Sequence, residues 1–161
     1  MIESVSSGGR PLVMVYGGAS GHLEEIDRIL QKLKRRSSVV LVTNRTEFTQ
    51  TLHRAKFVPE YGPSILGQGL SILVTALLAG REMLTTPVEF VLATGPAPAI
   101  GVLLAAKFAR IPNAYIDTLC RIDNLSTTGK IAAFLSDVVF VQWPHLSTKA
   151  GRKGTYWGRV L

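Results

Sequence analysis

Residues 11–18, "PLVMVYGG", are apolar without alternation and end on a glycine pair, the pattern of a strand buried on both faces. The period then changes. Within "HLEEIDRILQKLKRR", Leu23, Ile26, Ile29, Leu30 and Leu33 recur at helical spacing, with acids in the first turns and bases in the last, as the helix dipole favours. A second apolar run, "SSVVLVTN" (37–44), predicts a second strand. Residues 45–63 carry a weaker pattern, in which "HRAKFVPEYGP" has room for one short strand before a Gly/Pro break. From Ser64 to about Leu84 the chain reads as a helix weakened by Gly67 and Gly69.

The second half repeats the alternation. "VEFVLATG" (88–95) predicts a strand and "PAPAIGVLLAAKFARI" a helix with proline in its first turn. "NAYID", "STTGKIAAFLSD" and "VVFVQWP" follow as strand, helix and strand, and the closing "GTYWGRVL" suits an edge strand. Strands alternating with helices of about 10–15 residues imply parallel strands joined by right-handed crossovers. The expected fold is therefore α/β, a Rossmann-like doubly wound, mostly parallel sheet of about five or six strands. A length of 161 residues suits one domain over 1–161, with 1–10 expected to be flexible.

Composition narrows the function classes. With 47% apolar and 18% charged residues the chain is not of a disordered type, and part of its surface is expected to stay apolar for a partner or a membrane. Eighteen basic against 11 acidic residues, a formal charge of +7, suit an anionic lipid or a phosphorylated ligand. The bases are spread along the chain apart from Lys32, Lys34, Arg35 and Arg36, and neither a nucleic-acid motif nor an aromatic platform is present, so no nucleic acid is expected. Cys120 is the only cysteine, which excludes an internal disulfide and fits a reducing compartment. "MIESVSSGGRP" lacks the basic and apolar regions of a signal peptide. The most apolar window, residues 70–80, falls short of the roughly 20 residues that span a bilayer. The helix around it bears almost no charge before Arg81 and Glu82, so it is either a core or partner-facing helix or one that lies in a membrane interface.

Three strand ends carry the candidate chemistry. "GGASGH" (17–22) joins the first strand to the first helix, where Gly17, Gly18 and Gly21 permit a tight turn and a helix N-terminus offers N–H groups to an anion. It lacks the Gly-Lys-Ser/Thr ending of a Walker loop and the full dinucleotide fingerprint, and a purely structural glycine turn stands equally open. His22 is either a base at the mouth of this loop or a helix cap; His53 and His145 have no metal-ligand spacing to it, so neither a metal nor a cofactor is expected. "ATGPAPAIG" (93–101) places Gly95 at a second such mouth, and two of these on one sheet edge would make one crevice. The third is "YIDTLCRIDNLSTTGK", where Asp117 suits a base or a sugar hydroxyl and Arg121 a phosphate. The alternatives are an Asp117–Arg121 pair, a helix cap at Asp123, and an N-cap at Ser126; Cys120 reads as a small apolar filler.

"GGASGH", "ATGPAPAIGVLLAA", "YIDTLCRIDNLSTTGKIAAFLSDVVFVQWP" and "YWGRVL", in order from about Val13 to the end, together resemble the Alg-fourteen-type family. This is the membrane-recruiting subunit of a UDP-GlcNAc transferase acting on lipid-linked diphosphate oligosaccharides. The resemblance implies the N-terminal, acceptor-binding Rossmann half of a split GT-B glycosyltransferase, inactive until it meets an Alg-thirteen-type chain that holds the nucleotide-sugar. It implies His22 and Asp117 as catalytic candidates. It also implies that Gly17, Gly18, Ser20, Gly21, Gly95, Arg121 and Ser126 bind a lipid-diphosphate-sugar acceptor on the cytoplasmic face of a membrane. Asp117 stands where the family usually has glutamate, and Ser20 where many members have glycine. The family's leading membrane helix is not found in this sequence, and the short form resembles bacterial capsule and exopolysaccharide versions. The competing functions are a non-catalytic membrane tether for a partner and a stand-alone nucleotide-binding enzyme.

Overall fold

A computed structural model describes residues 9–18, 22–45, 55–59 and 61–159, and side chains from residue 25 on in the first helix. Its strands are β1 (Leu12–Gly17), β2 (Ser38–Asn44), β3 (Ala55–Val58), β4 (Phe90–Thr94), β5 (Asn113–Ile116), β6 (Val138–Phe140) and β7 (Gly154–Thr155). The helices are α1 (His22–Leu33), α2 (Ile65–Thr85), α3 (Pro98–Phe108) and α4 (Thr127–Leu135). Two 3-10 turns, Pro144–Leu146 and Thr148–Lys153, lie between β6 and β7.

The strands form one sheet in the order β3-β2-β1-β4-β5-β6-β7, and every pairing is parallel. The expected Rossmann-like sheet is therefore present, with seven strands where five or six were expected. β3 and β7 lie in the segments with room for a short strand and an edge strand, and at four and two residues they are too short for a period to settle whether they count. The closing segment does supply the edge strand.

From β1 the chain first builds outward through β2 and β3, then returns to lay β4 on the other side of β1. The order reverses between β1 and β4, and in open α/β sheets this switch point is where the loops part to leave a crevice at the strands' carboxyl ends. β1 is buried along most of its length because helices cover both of its faces. Ile26 and Leu30 of α1 pack on one face with Val13, Val15, Leu92, Ala114 and Ile116. α2, α3 and α4 cover the other through Ala79, Met83, Val102, Leu103 and Ala132, which close over Met14, Tyr16, Val91 and Tyr115.

α2 is 21 residues long, well beyond the apolar window of residues 70–80, and is long and apolar enough to cross a bilayer by length and composition. Its two faces are reversed relative to an ordinary surface helix. The buried stripe is Gly67, Ser71, Thr75, Ala79 and Met83, mostly small residues that let α3 come close. A Cβ at Gly101 of α3 would stand 2.3 Å from the carbonyl oxygen of Ile72, so here the two helices meet backbone to backbone. The outward stripe is Leu66, Leu70, Leu73, Leu77 and Leu84, all exposed, and only 17% of the helix's most apolar stretch is buried.

Candidate functional site

The crevice at the switch point is built by close contact of the first two strand mouths. A Cβ on Gly17 would lie 1.4 Å from Ile26 Cδ1, and one on Gly18 would lie 2.3 Å from Pro96 Cδ. Both positions are close approaches: Gly17 lets the Ile26 side chain of α1 come down onto the sheet, and Gly18 lets the loop after β4 lie against the loop after β1. Gly95 turns that second loop with φ 106°, a left-handed conformation natural to glycine.

Hydroxyls from neighbouring strands fix both turns. Thr43 of β2 donates to the Gly17 carbonyl at 2.6 Å, and Tyr115 of β5 donates to the Gly95 carbonyl at 3.0 Å. Burial, followed by the charge of Asp117, raises the Tyr115 pKa above its ordinary value, so the phenol stays a donor throughout the physiological range. Glu25, read from the sequence only as a helix-dipole acid, is 6% exposed, and its charge contributes to the same rise.

An open cleft of about 390 Å³ lies beside these turns, lined by Gly62, Pro63, Gln68, Ser71, Pro96, Ala97, Pro98 and Thr128. Gln68 and Ser71 lie in the first two turns of α2, Pro98 opens α3 and Thr128 lies in the first turn of α4, so the cleft is bordered by the N-terminal ends of three helices, where the helix dipole is positive. Ser64 caps α2 by accepting from Gly67 N–H at 3.0 Å, and α3 begins on Pro98 without a side-chain cap. Gly67 is also a close approach, since a Cβ there would stand 1.7 Å from the Tyr61 carbonyl oxygen. Gln68, Ser71 and Thr128 are not among the residues the sequence singles out; the available signal is that each lies in the first two turns of a helix that starts on the same edge.

At the third mouth Asp117 is 1% exposed. Its Oδ1 accepts from the Ser126 hydroxyl at 2.6 Å and its Oδ2 from the Ser126 N–H at 3.1 Å. Ser126 in turn caps α4, accepting from Gly129 N–H at 2.8 Å, so the N-cap reading of this serine holds. Gly129 is needed for this, as a Cβ there would come within 2.8 Å of the Asp117 carboxylate. The result is a loop, 118–125, tied shut at its neck. Arg121 is exposed on it and, among the described residues, makes no ion pair with Asp117. Cys120 is exposed on the same loop, which corrects the expectation of a core filler: the residue follows the strand end and never enters the sheet.

The structure thus brings Gly17, Gly18, Gly95, Asp117 and Ser126 to one edge of the sheet, with Arg121 on the loop above it. Ser20, Gly21 and the side chain of His22 lie outside the described residues. Among the described residues no cluster of His, Cys, Asp and Glu is arranged to hold a metal.

Known proteins resemble the chain in sequence and in fold. The family described as "Oligosaccharide biosynthesis protein Alg14 like" matches residues 40–160. The "UDP-N-acetylglucosamine transferase subunit ALG14" of Rattus norvegicus is 26% identical, over 92% of this chain and 82% of its own. The Homo sapiens protein of the same name is 34% identical over 45% of this chain and 36% of its own, and that of Yarrowia lipolytica 26% identical over 88% and 78%. Among solved structures, Acinetobacter baumannii MurG superposes with a TM-score of 0.70 at 17% identity, covering 84% of this chain and 43% of that one. The UDP-N-acetylglucosamine 2-epimerase of Rickettsia bellii gives 0.73 at 16%, covering 94% and 45%. At such identities the likeness is one of fold, and this chain spans less than half of either enzyme.

Proposed function

The chain belongs to the Alg14-like oligosaccharide biosynthesis family, and from that premise we propose that it is the acceptor-binding subunit of a two-chain GT-B glycosyltransferase. Its acceptor is a lipid-diphosphate-sugar, and its partner an Alg-thirteen-type chain that brings the nucleotide-sugar, UDP-GlcNAc or a related UDP-sugar. One observation carries this reading. The first turns of α2 line a cleft bordered by the N-terminal ends of three helices, and the same helix turns a row of exposed leucines outward from Leu66 to Leu84. An anion-suited mouth and an apolar face on one helix match a molecule with a diphosphate head and a hydrocarbon tail.

In this reading α2 lies in the interface of a membrane's cytoplasmic face, where the net charge of +7 favours anionic lipid. The diphosphate is received by the loops at Gly17, Gly18, Ser20, Gly21 and Gly95, and Arg121 pairs with it as a bidentate donor. Asp117 and Ser126 act by shaping the Arg121 loop. His22 takes the proton of the acceptor hydroxyl as that oxygen bonds to the sugar's anomeric carbon and the bond to the departing nucleoside diphosphate breaks. Stabilising the departing diphosphate falls mainly to the partner.

The test is transfer from UDP-GlcNAc to a GlcNAc-diphosphate-lipid by the chain alone, by its partner alone and by both. Activity is expected only with both, and His22→Gln should lower kcat about a hundredfold or more with the complex intact. Transfer by the chain alone would end the split-enzyme reading. Undiminished transfer by His22→Gln would favour the membrane-tether function, which the leucine face of α2 also supports.

A further inference from the structure

Loop 118–125 is held from outside by one later segment of the chain. Trp143 Nε1–H donates to the Leu119 carbonyl at 3.1 Å. His145 Nε2 meets the Ile122 carbonyl at 2.6 Å, and since a carbonyl only accepts, this nitrogen carries the proton. Lys149 Nζ donates to the Asp123 carbonyl and, at 2.9 Å, to Asn124 Oδ1. The Arg159 guanidinium then stacks on the Trp143 ring, 3.9 Å from its centroid. Three side chains within seven residues are therefore spent on the backbone of one loop, and their acceptors bracket Arg121.

Such an arrangement is more than helix or sheet packing requires. The neck of the loop is already closed by Asp117 and Ser126, and α4 already has its cap. The additional donors fix the loop's path between its ends. A short exposed loop without them would sample many shapes, and a ligand would bear the cost of ordering it.

We propose that the Trp143–Lys149 segment is a clip holding loop 118–125 in one shape, so that Trp143, His145 and Lys149 are positioning residues for the contact Arg121 makes with the acceptor diphosphate. The inference rests on the acceptor reading above. Trp143→Phe keeps an aromatic face under Arg159, on a smaller ring, and loses the N–H; Lys149→Met keeps the stem and loses the ammonium. His145→Leu removes the donor, whereas His145→Gln offers an amide N–H to the same carbonyl.

The experiment measures amide hydrogen exchange of residues 118–125 and affinity for geranyl diphosphate, both on the full-length chain. In Trp143→Phe, Lys149→Met and His145→Leu the loop should exchange about five- to tenfold faster while β5 and α4 keep wild-type rates. Affinity for the probe should fall about five- to tenfold without a change in melting midpoint, and His145→Gln should stay near wild type. Unchanged loop exchange in all three overturns the clip. Faster exchange with undiminished affinity overturns the positioning role. A wild-type chain that does not bind the probe sinks the acceptor reading instead, and the exchange rates alone then decide whether the clip exists.

Discussion

α2 and α3 are neighbours of similar apolar composition with opposite uses. α3 buries eight of its eleven residues, from Pro98 to Ala106, between α2 and α4, and its apolarity is the core. α2 buries only its small-residue stripe against α3 and leaves its leucines outside. Apolarity alone did not decide which helix went inside. Side-chain size did: the helix with Gly67, Ser71, Thr75 and Ala79 along one face and leucines along the other packs most closely by its small face. The large face remains available for a surface of matching polarity.

That comparison breaks most severely at the crossing. Gly101→Val places carbon atoms where the Ile72 carbonyl and Ala76 N–H now lie. It should cost about 3 kcal/mol or more, because backbone cannot move aside as a side-chain end can. Chemical denaturation measures it, and a cost below about 1 kcal/mol would mean that the helices do not cross as described.

A paired truncation sharpens the contrast. Leu103→Ala in α3 should destabilise by about 3 kcal/mol, whereas Leu73→Ala in α2 should stay within about 0.5 kcal/mol in solution. Their order should reverse on vesicles containing anionic lipid. Leu73→Ser with Leu77→Ser should weaken sedimentation with such vesicles about tenfold or more, from apolar area no longer transferred. Equal membrane affinity in wild type and double variant would leave the leucine face without its assigned role.

The smallest effect lies near the far end of α2. Burial works to raise the Glu82 pKa, but hydrogen bonds from Lys56 and Thr86 and the charges of Lys56 and Arg81 outweigh it and hold the carboxyl below its ordinary value. A depressed folded pKa means that the unfolded chain takes up the proton more readily. The contribution is therefore complete above the ordinary value of 4.5 and is lost as pH falls through the lower folded value. With Lys56 46% exposed, solvent screening keeps the contribution under about 1 kcal/mol. Glu82→Gln should flatten that part of the acid limb in a pH series of denaturation midpoints and leave the leucine face untouched.

The sequence by itself determined the alternation of strands and helices, because burial on both faces of a parallel strand and on one stripe of a helix leaves periods of its own. It also offered Ser126 as one of two candidate caps and carried the resemblance to the family, both local or linear patterns. The edge strands β3 and β7 fall in the segments with room for a short strand and an edge strand, but four and two residues are too few to fix the count between five and seven. What only the tertiary structure decided are matters of which atoms come close. Gly17 and Gly18 read equally as ligand-binding or structural, and the structure adds a packing contact at each, with Ile26 and with Pro96. Asp117 reads as a base, a contact for a sugar hydroxyl or a partner of Arg121, and only the structure shows that Ser126, nine residues later, bonds to both of its oxygens. The direction of α2's leucines was open until Gly101 brought α3 to its small face, since a helix records its own two faces in sequence but not which of them its neighbour will take.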